Sequence, residues 1–194
     1  MIHLAMLRHG HTSWNRAGRI QGRTDIELDE DARIDLSSRR LPPPFDTAAL
    51  VSSPLKRARE TAELVGKRTP DTIDSLIEMN WGDWEGLIGH DLRADPASGY
   101  RDLEYWGWDF RPPNGETPAD LWDRVAPWLS SLTTDTVAVC HIGTMRIIMA
   151  RAYGWDFLGT PPFQIKRNRL YVVEISDGQL SPWNETPRLI ETPL

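Results

Sequence analysis

The chain has 194 residues, with 22 Lys and Arg against 28 Asp and Glu and a formal net charge of −6. That length supports one domain with a full core, and the acidic balance argues against a nucleic-acid surface, which needs a basic excess. Cys140 is the only cysteine, so no intrachain disulfide can form and a reducing compartment is expected. The N-terminus shows no signal-like segment, and no apolar run approaches the roughly 20 residues that span a bilayer. The expectation is a soluble, cytoplasmic protein with no membrane or nucleic-acid partner, whose anion sites, if any, are local.

Residues 2–7 read as a short buried strand, because Gly10 and a cluster of small polar residues close the apolar run. Arg8 then offers a planar fork of donors suited to phosphate or carboxylate, and Gly10 lets the backbone approach a ligand closely. Residues 29–40 read as an irregular helix, Leu41-Pro42-Pro43-Pro44 as a rigid connector, and 47–51 as a second buried strand. Ser53 is placed to cap a helix with Pro54 at its first position, running through residue 63. A third strand is expected over 72–76. Residues 80–115, rich in Trp, Gly, Pro and Asp, show no periodicity and suggest an excursion over one end of the sheet. Thr117-Pro118-Ala119-Asp120 opens a helix to about residue 131, with Leu121, Val125 and Leu129 at helical spacing. A strand over 136–140, a helix over 143–153 and a strand over 170–175 that turns at Asp177-Gly178 complete the chain. Alternating strands and helices predict one α/β domain over 1–194, a three-layer sandwich with a mostly parallel central sheet flanked by helices.

Arg8 and His9 end the first strand, Arg57 lies in the first turn of the helix after the second, and His141 ends a later strand before Gly143. If those strands are parallel, all four groups meet at one sheet edge, where helix N-termini present unpaired N–H groups to an anion. Such cations repel by several kcal/mol at an effective dielectric of about 20, and a phosphate compensates them.

Leu7-Arg8-His9-Gly10-His11-Thr12 with Trp14-Asn15 resembles the signature of the histidine phosphatase superfamily, also called phosphoglycerate mutase-like. The resemblance extends through Gly18-Arg19-Ile20-Gln21-Gly22, then 52–62 (Ser-Ser-Pro-Leu-Lys-Arg-Ala-Arg-Glu-Thr-Ala), Glu78 with Gly82-Asp83-Trp84-Glu85-Gly86, and Val139-Cys140-His141-Ile142-Gly143. These blocks follow the family's order over most of the chain. The resemblance implies phosphoryl transfer to His9 followed by hydrolysis, without metal or cofactor. Arg8, Arg57, Asn15 and His141 then bind the phosphoryl group. The ring nitrogen of His9 that does not attack is expected to be held by a backbone carbonyl in the Gly10 turn. Glu78 is implied as the acid that protonates the leaving oxygen and then helps activate water. Gln21 and Gly22 match a segment bordering the substrate.

Each assignment has a plainer reading. Arg57 lies in a charge run with Lys56 and Arg59 of the kind usually found on a solvated face. Asp83, Glu85 and Glu116 compete with Glu78, and Asn15 and Gly22 are turn formers. Cys140 and His141, adjacent on a strand, point to opposite faces and cannot form a thiol–base pair. His9-x-His11 has the spacing of a metal-ligand pair, but Arg8 opposes a cation. Trp81, Trp84, Trp106 and Trp108 offer either stacking faces to a nucleoside or sugar, or a small aromatic core.

The chain also departs from the family pattern, with His11 where many members carry glutamate, and Ala32 and Ile142 where many carry glycine. Met79 to Gly86 and Pro113 to Thr117 are similar to the branch containing α-ribazole phosphatase and broad-specificity phosphatases. The expected substrate is a small phosphomonoester such as α-ribazole phosphate or a sugar phosphate. A phosphoglycerate mutase-type transferase and a phosphate- or phosphoprotein-binding module are the alternatives, and a homo-oligomer is left open.

Overall fold

Side-chain alternation along the first strand, β1 (Ile2–Arg8), decides the layering. Leu4 and Met6 join one apolar cluster, while Ala5 and Leu7 join another. A strand buried on both faces reads as a continuous apolar run. After β1 come α1 (Ser13–Arg16), α2 (Glu30–Ser37), β2 (Arg39–Arg40), β3 (Ala49–Ser52), α3 (Lys56–Gly66), β4 (Asp71–Thr72), α4 (Gly89–Ala94) and α5 (Pro118–Ser131). The chain continues through β5 (Thr136–Cys140), α6 (Ile142–Tyr153), β6 (Leu170–Ser176), β7 (Gln179–Pro182) and β8 (Ile190–Glu191). The computed structural model describes residues 1–192.

The main sheet has the order β4-β3-β5-β1-β6-β7. The first four of these strands run parallel, and β6 and β7 add an antiparallel edge. Helices α2 and α3 pack with Ala5, Leu7, Val137 and Val139 on one face. On the other, α5 and α6 pack with Leu4, Met6, Ala138 and Cys140. This is the expected three-layer α/β sandwich. Its parallel strands end along one edge, and antiparallel β6 begins there, with Leu170 opposite Leu7. Among the described residues no helix is long and apolar enough to cross a membrane.

Four local expectations are corrected. The helix expected over 29–40 stops at Ser37; Asp29 is its N-cap, and Arg39–Arg40 instead pair with Ile190–Glu191, a partner too distant in sequence to leave a local signal. Ser53 does not cap α3, which starts at Lys56 after Leu55, because the Ser53 hydroxyl is engaged with His141 Nε2 at 2.7 Å and the Leu55 N–H at 3.3 Å. The strand expected over 72–76 is cut to Asp71–Thr72, after which Asp74–Leu76 forms a 3₁₀ turn. The 80–115 excursion is more regular than expected, since it contains α4 and two short 3₁₀ turns.

Candidate active site

The edge where β1 ends is built from main-chain bonds outward. His9 donates its N–H to the Cys140 carbonyl at 3.0 Å, and Gly10 donates to Thr61 Oγ1 at 3.0 Å. A Cβ on Gly10 would lie 2.7 Å from Leu36 Cδ1 and 3.1 Å from Leu28 Cδ2, so a larger residue would have to push these buried methyl groups aside for the turn to sit this close to α2. His9 is buried, and its Nδ1 lies 2.6 Å from the Gly10 carbonyl. A carbonyl can only accept, so Nδ1 carries the proton. In the neutral ring Nε2 is therefore the nitrogen with a free lone pair.

Arg57 projects inward from the first turn of α3 with 1% exposure, while Lys56 and Arg59 face solvent. Its Nη1 and Nη2 donate to the carbonyls of Thr24 and Gly22 at 2.8 and 2.7 Å. Glu85 pins that loop by accepting from the N–H groups of Arg23 and Thr24. Gly22 has φ +51°, and a Cβ there would lie 1.9 Å from Glu85 Oε1. Glu85 is thus a structural clamp on the loop that grips Arg57.

His141 occupies the cap position of α6, fully buried, with its ring centroid 5.2 Å from that of His9. Glu78 accepts N–H bonds from Met79, Gly143 and Thr144 at 2.8, 3.0 and 3.1 Å, the last two at the start of α6. A Cβ on Gly143 would lie 2.3 Å from Glu78 Oε1, so this glycine makes room for the carboxylate. The other carboxylates are committed elsewhere. Glu116 bonds Arg124 and Arg23, and exposed Asp83 accepts from Asn114. Arg124 also donates to the carbonyls of Ile77 and Glu78, bracing the Glu78 backbone.

A cleft of about 320 Å³ brings together Arg8, His9, Asn15, Gln21, Gly22, Arg57 and Glu78. Ile142 lines it too. His141 adjoins it through its contact with the His9 ring. Arg8 Nε, Arg57 Nε and His141 Nδ1 are buried without a partner. Unpaired polar atoms at such a density call for an explanation, and an anion supplies one. Burial, then the charges of Arg57 and Arg8, hold the His9 pKa well below the usual histidine value; burial and Arg57 do the same to His141. Burial first, then Arg167 and Arg146, bring Arg8 down to about 9, which leaves it charged at neutral pH. Neutral imidazoles beside charged guanidiniums suit a nitrogen nucleophile and an anionic electrophile.

His11 does not share a face with His9. It lines a separate cavity behind the loop with Arg16 and Arg167, so the two rings do not form a ligand pair. Cys140 lies in the core, where burial raises its pKa well above the usual thiol value. The tryptophans belong to one aromatic cluster: Trp84 packs against Phe110, Trp108 against Phe157 and Trp81 edge-on against Trp106 at 5.5 Å, and half-buried Trp81 also lines the cleft wall. Trp106 does both, lining the cleft and stacking on Phe110 at 4.9 Å.

Two arginines escaped the sequence reading. Arg146, one turn after Ile142 in α6, lines the cleft; a basic residue in the second turn of the helix after His141 was the available signal. Arg167 donates to the His9 carbonyl and to Asn15 Oδ1. It precedes β6, and only the antiparallel placement of that strand brings it to the site.

A family model described as histidine phosphatase superfamily (branch 1) matches residues 4–186. A glucosyl-3-phosphoglycerate phosphatase from Mycolicibacterium vanbaalenii is 33% identical over 165 residues, covering 78% of this chain and 68% of that protein. A probable phosphoglycerate mutase from Shigella boydii is 30% identical over 205 residues, covering 99% and 92%. A crystal structure of a Thermus thermophilus protein superposes with a TM-score of 0.70 at 30% identity, covering 97% of each chain.

Proposed function

Since the chain belongs to the histidine phosphatase superfamily, branch 1, we propose that it hydrolyses small phosphomonoesters through a phosphohistidine on His9. The observation that carries this reading is the bond from His9 Nδ1 to the Gly10 carbonyl, which leaves Nε2 as the nucleophile among the cleft arginines. Nε2 attacks phosphorus as the P–O bond to the leaving group breaks. Arg8, Arg57, Asn15 and the unpaired Nδ1 of His141 take the charge spread over the phosphoryl oxygens. In this reading the Ser53 hydroxyl, 2.7 Å from His141 Nε2, donates its hydrogen bond to that nitrogen, and the ring proton sits on Nδ1 as a donor.

Glu78 delivers a proton to the leaving oxygen. It then takes one from the water that attacks the phosphohistidine, releasing phosphate and restoring neutral His9. The arginines supply the positive charge a metal would bring, so the reaction proceeds without one. The outer wall suggests the substrate class. Trp81 lines the wall with an aromatic ring, and Asp102 and Glu104 offer acceptors, a combination suited to a sugar or polyol phosphate. A sugar occurs in the name of the Mycolicibacterium relative.

The test is a turnover panel of sugar phosphates, α-ribazole phosphate and 3-phosphoglycerate, with and without a chelator. Phosphate release that survives chelation is expected. Binding without release points to a phosphate-binding module, transfer to a second hydroxyl to a mutase, and loss rescued by zinc to a metal enzyme.

A further inference from the structure

Asn15 reaches the cleft as an amide, whose use to a phosphate depends on which end faces in. Its Oδ1 lies 3.1 Å from the Thr12 N–H and 2.9 Å from Arg167 Nη2, both of them obligate donors. The single Thr12 hydroxyl proton goes to Gln21 Oε1 at 2.9 Å, closer than its 3.3 Å contact with Asn15. Turning the Asn15 amide over would set its NH₂ against two donors. Arg167 spans this contact and the nucleophile's own backbone, because Nε donates to the His9 carbonyl at 3.2 Å. Nε–H and Nη2–H form one edge of a rigid guanidinium, so one side chain fixes two groups relative to each other.

We propose that Arg167 is a positioning residue: it locks the Asn15 amide with its N–H₂ toward the phosphoryl oxygens and fixes that donor relative to His9. The proposal rests on the reading of Asn15 as a phosphoryl ligand. Its source is topological. Because β6 runs antiparallel beside β1, the residues that lead into it lie alongside the loop leaving β1. A segment some 158 residues from His9 in sequence thereby supports the nucleophile.

The experiment is a double-mutant cycle of Arg167→Met with Asn15→Ala, read as KM for p-nitrophenyl phosphate, kcat and orthovanadate inhibition. Arg167→Met is expected to raise KM and weaken vanadate by about tenfold, the order expected for one lost hydrogen bond to a charged group, with a smaller change in kcat. In the Asn15→Ala background the same change should add less than twofold. Arg167→Lys keeps the charge but not the two-donor edge, and should retain most of the loss; it also serves should Arg167→Met fail to fold. Additive losses, a Lys variant that matches wild type, or an Asn15→Ala variant that binds vanadate normally would each overturn the proposal while leaving the phosphatase reading intact. Wild-type protein that neither turns over nor binds vanadate would overturn both.

Discussion

The two halves of the cleft are built differently. In the inner half most of the groups lie at strand ends or helix starts and are held by backbone or by a buried side chain: His9 by the Gly10 carbonyl, Arg57 by Gly22 and Thr24, and His141 by Ser53. Glu78 comes instead from the loop after Asp74–Leu76 and is held by Gly143 and Thr144, while Arg8 Nε is buried without a partner. In the outer half Trp81, Tyr100, Asp102 and Glu104 come from the 80–115 excursion and are half-buried. Arg93, exposed, pairs with Asp102 at 2.7 Å and lies 5.4 Å above the Tyr100 ring. Exposed ion pairs of this kind contribute little, typically under about 1 kcal/mol. Fixed main-chain geometry suits chemistry that tolerates little displacement, and a wall of weakly held side chains suits discrimination among leaving groups. Inner changes should therefore strike kcat, and outer changes should alter substrate preference.

The largest separation between the halves should come from Glu78. Glu78→Gln keeps the shape but cannot supply a proton, so phosphoenzyme formation from alkyl phosphates should slow by about 10²- to 10⁴-fold beyond the loss, common to all esters, that comes from setting its NH₂ against a backbone N–H donor. The p-nitrophenyl ester expels a stable anion and should lose much less. Single-turnover rates check this, since the proposed mechanism also uses Glu78 in the later hydrolysis. Equal losses for both esters would make Glu78 a positioning group.

The pH response is the next largest. His9 and His141 are held neutral in the fold mainly by burial, so their pKa values are depressed relative to the unfolded chain. Stability from this source is complete above about pH 6.5, the unfolded value. It falls as pH drops below that, by about 1.4 kcal/mol per unit for each histidine until its folded pKa is reached. Tm measured from pH 7.5 down to 5 in phosphate-free buffer should decline. The acid limb of kcat/KM assigned to His9 should lie below pH 6.5. A flat Tm with an acid limb near 6.5 would place both rings in an ordinary solvated environment.

The smallest effects belong to the outer wall. Trp81→Ala should raise KM for sugar phosphates by about 3- to 10-fold, the value of one aromatic contact, and leave kcat for p-nitrophenyl phosphate nearly unchanged. A comparable loss of kcat on both substrates would erase the distinction between the halves.

Legibility in the sequence follows the same division. The strand over 136–140 and the helix from Thr117 were readable because burial pattern and capping are local signals, and the structure has Thr136–Cys140 and a Thr117–Asp120 capping box. The convergence of Arg8, His9, Arg57 and His141 was readable because they sit at strand-to-helix transitions, and the structure gathers them at one edge with the expected carbonyl partner on the His9 nitrogen; Glu78, Asn15, Gln21 and Gly22 were suggested only by the family resemblance, and they line the same cleft. What escaped depends on long-range placement. Arg167 needs the antiparallel direction of β6, β2 needs β8, and the role of Ser53 needs His141, 88 residues away. Which tryptophans line the cleft escaped for a different reason, since composition does not say which ring of a cluster faces a cleft.

The central claim is that Nε2 of His9 becomes covalently phosphorylated. Rapid quench at alkaline pH, where a phosphoramidate survives, should trap labelled protein during turnover of a labelled phosphomonoester, with the label mapping to His9. His9→Ala should show no label. The same label persisting in that variant, or turnover with no trapped label when dephosphorylation is made rate-limiting, would contradict the account.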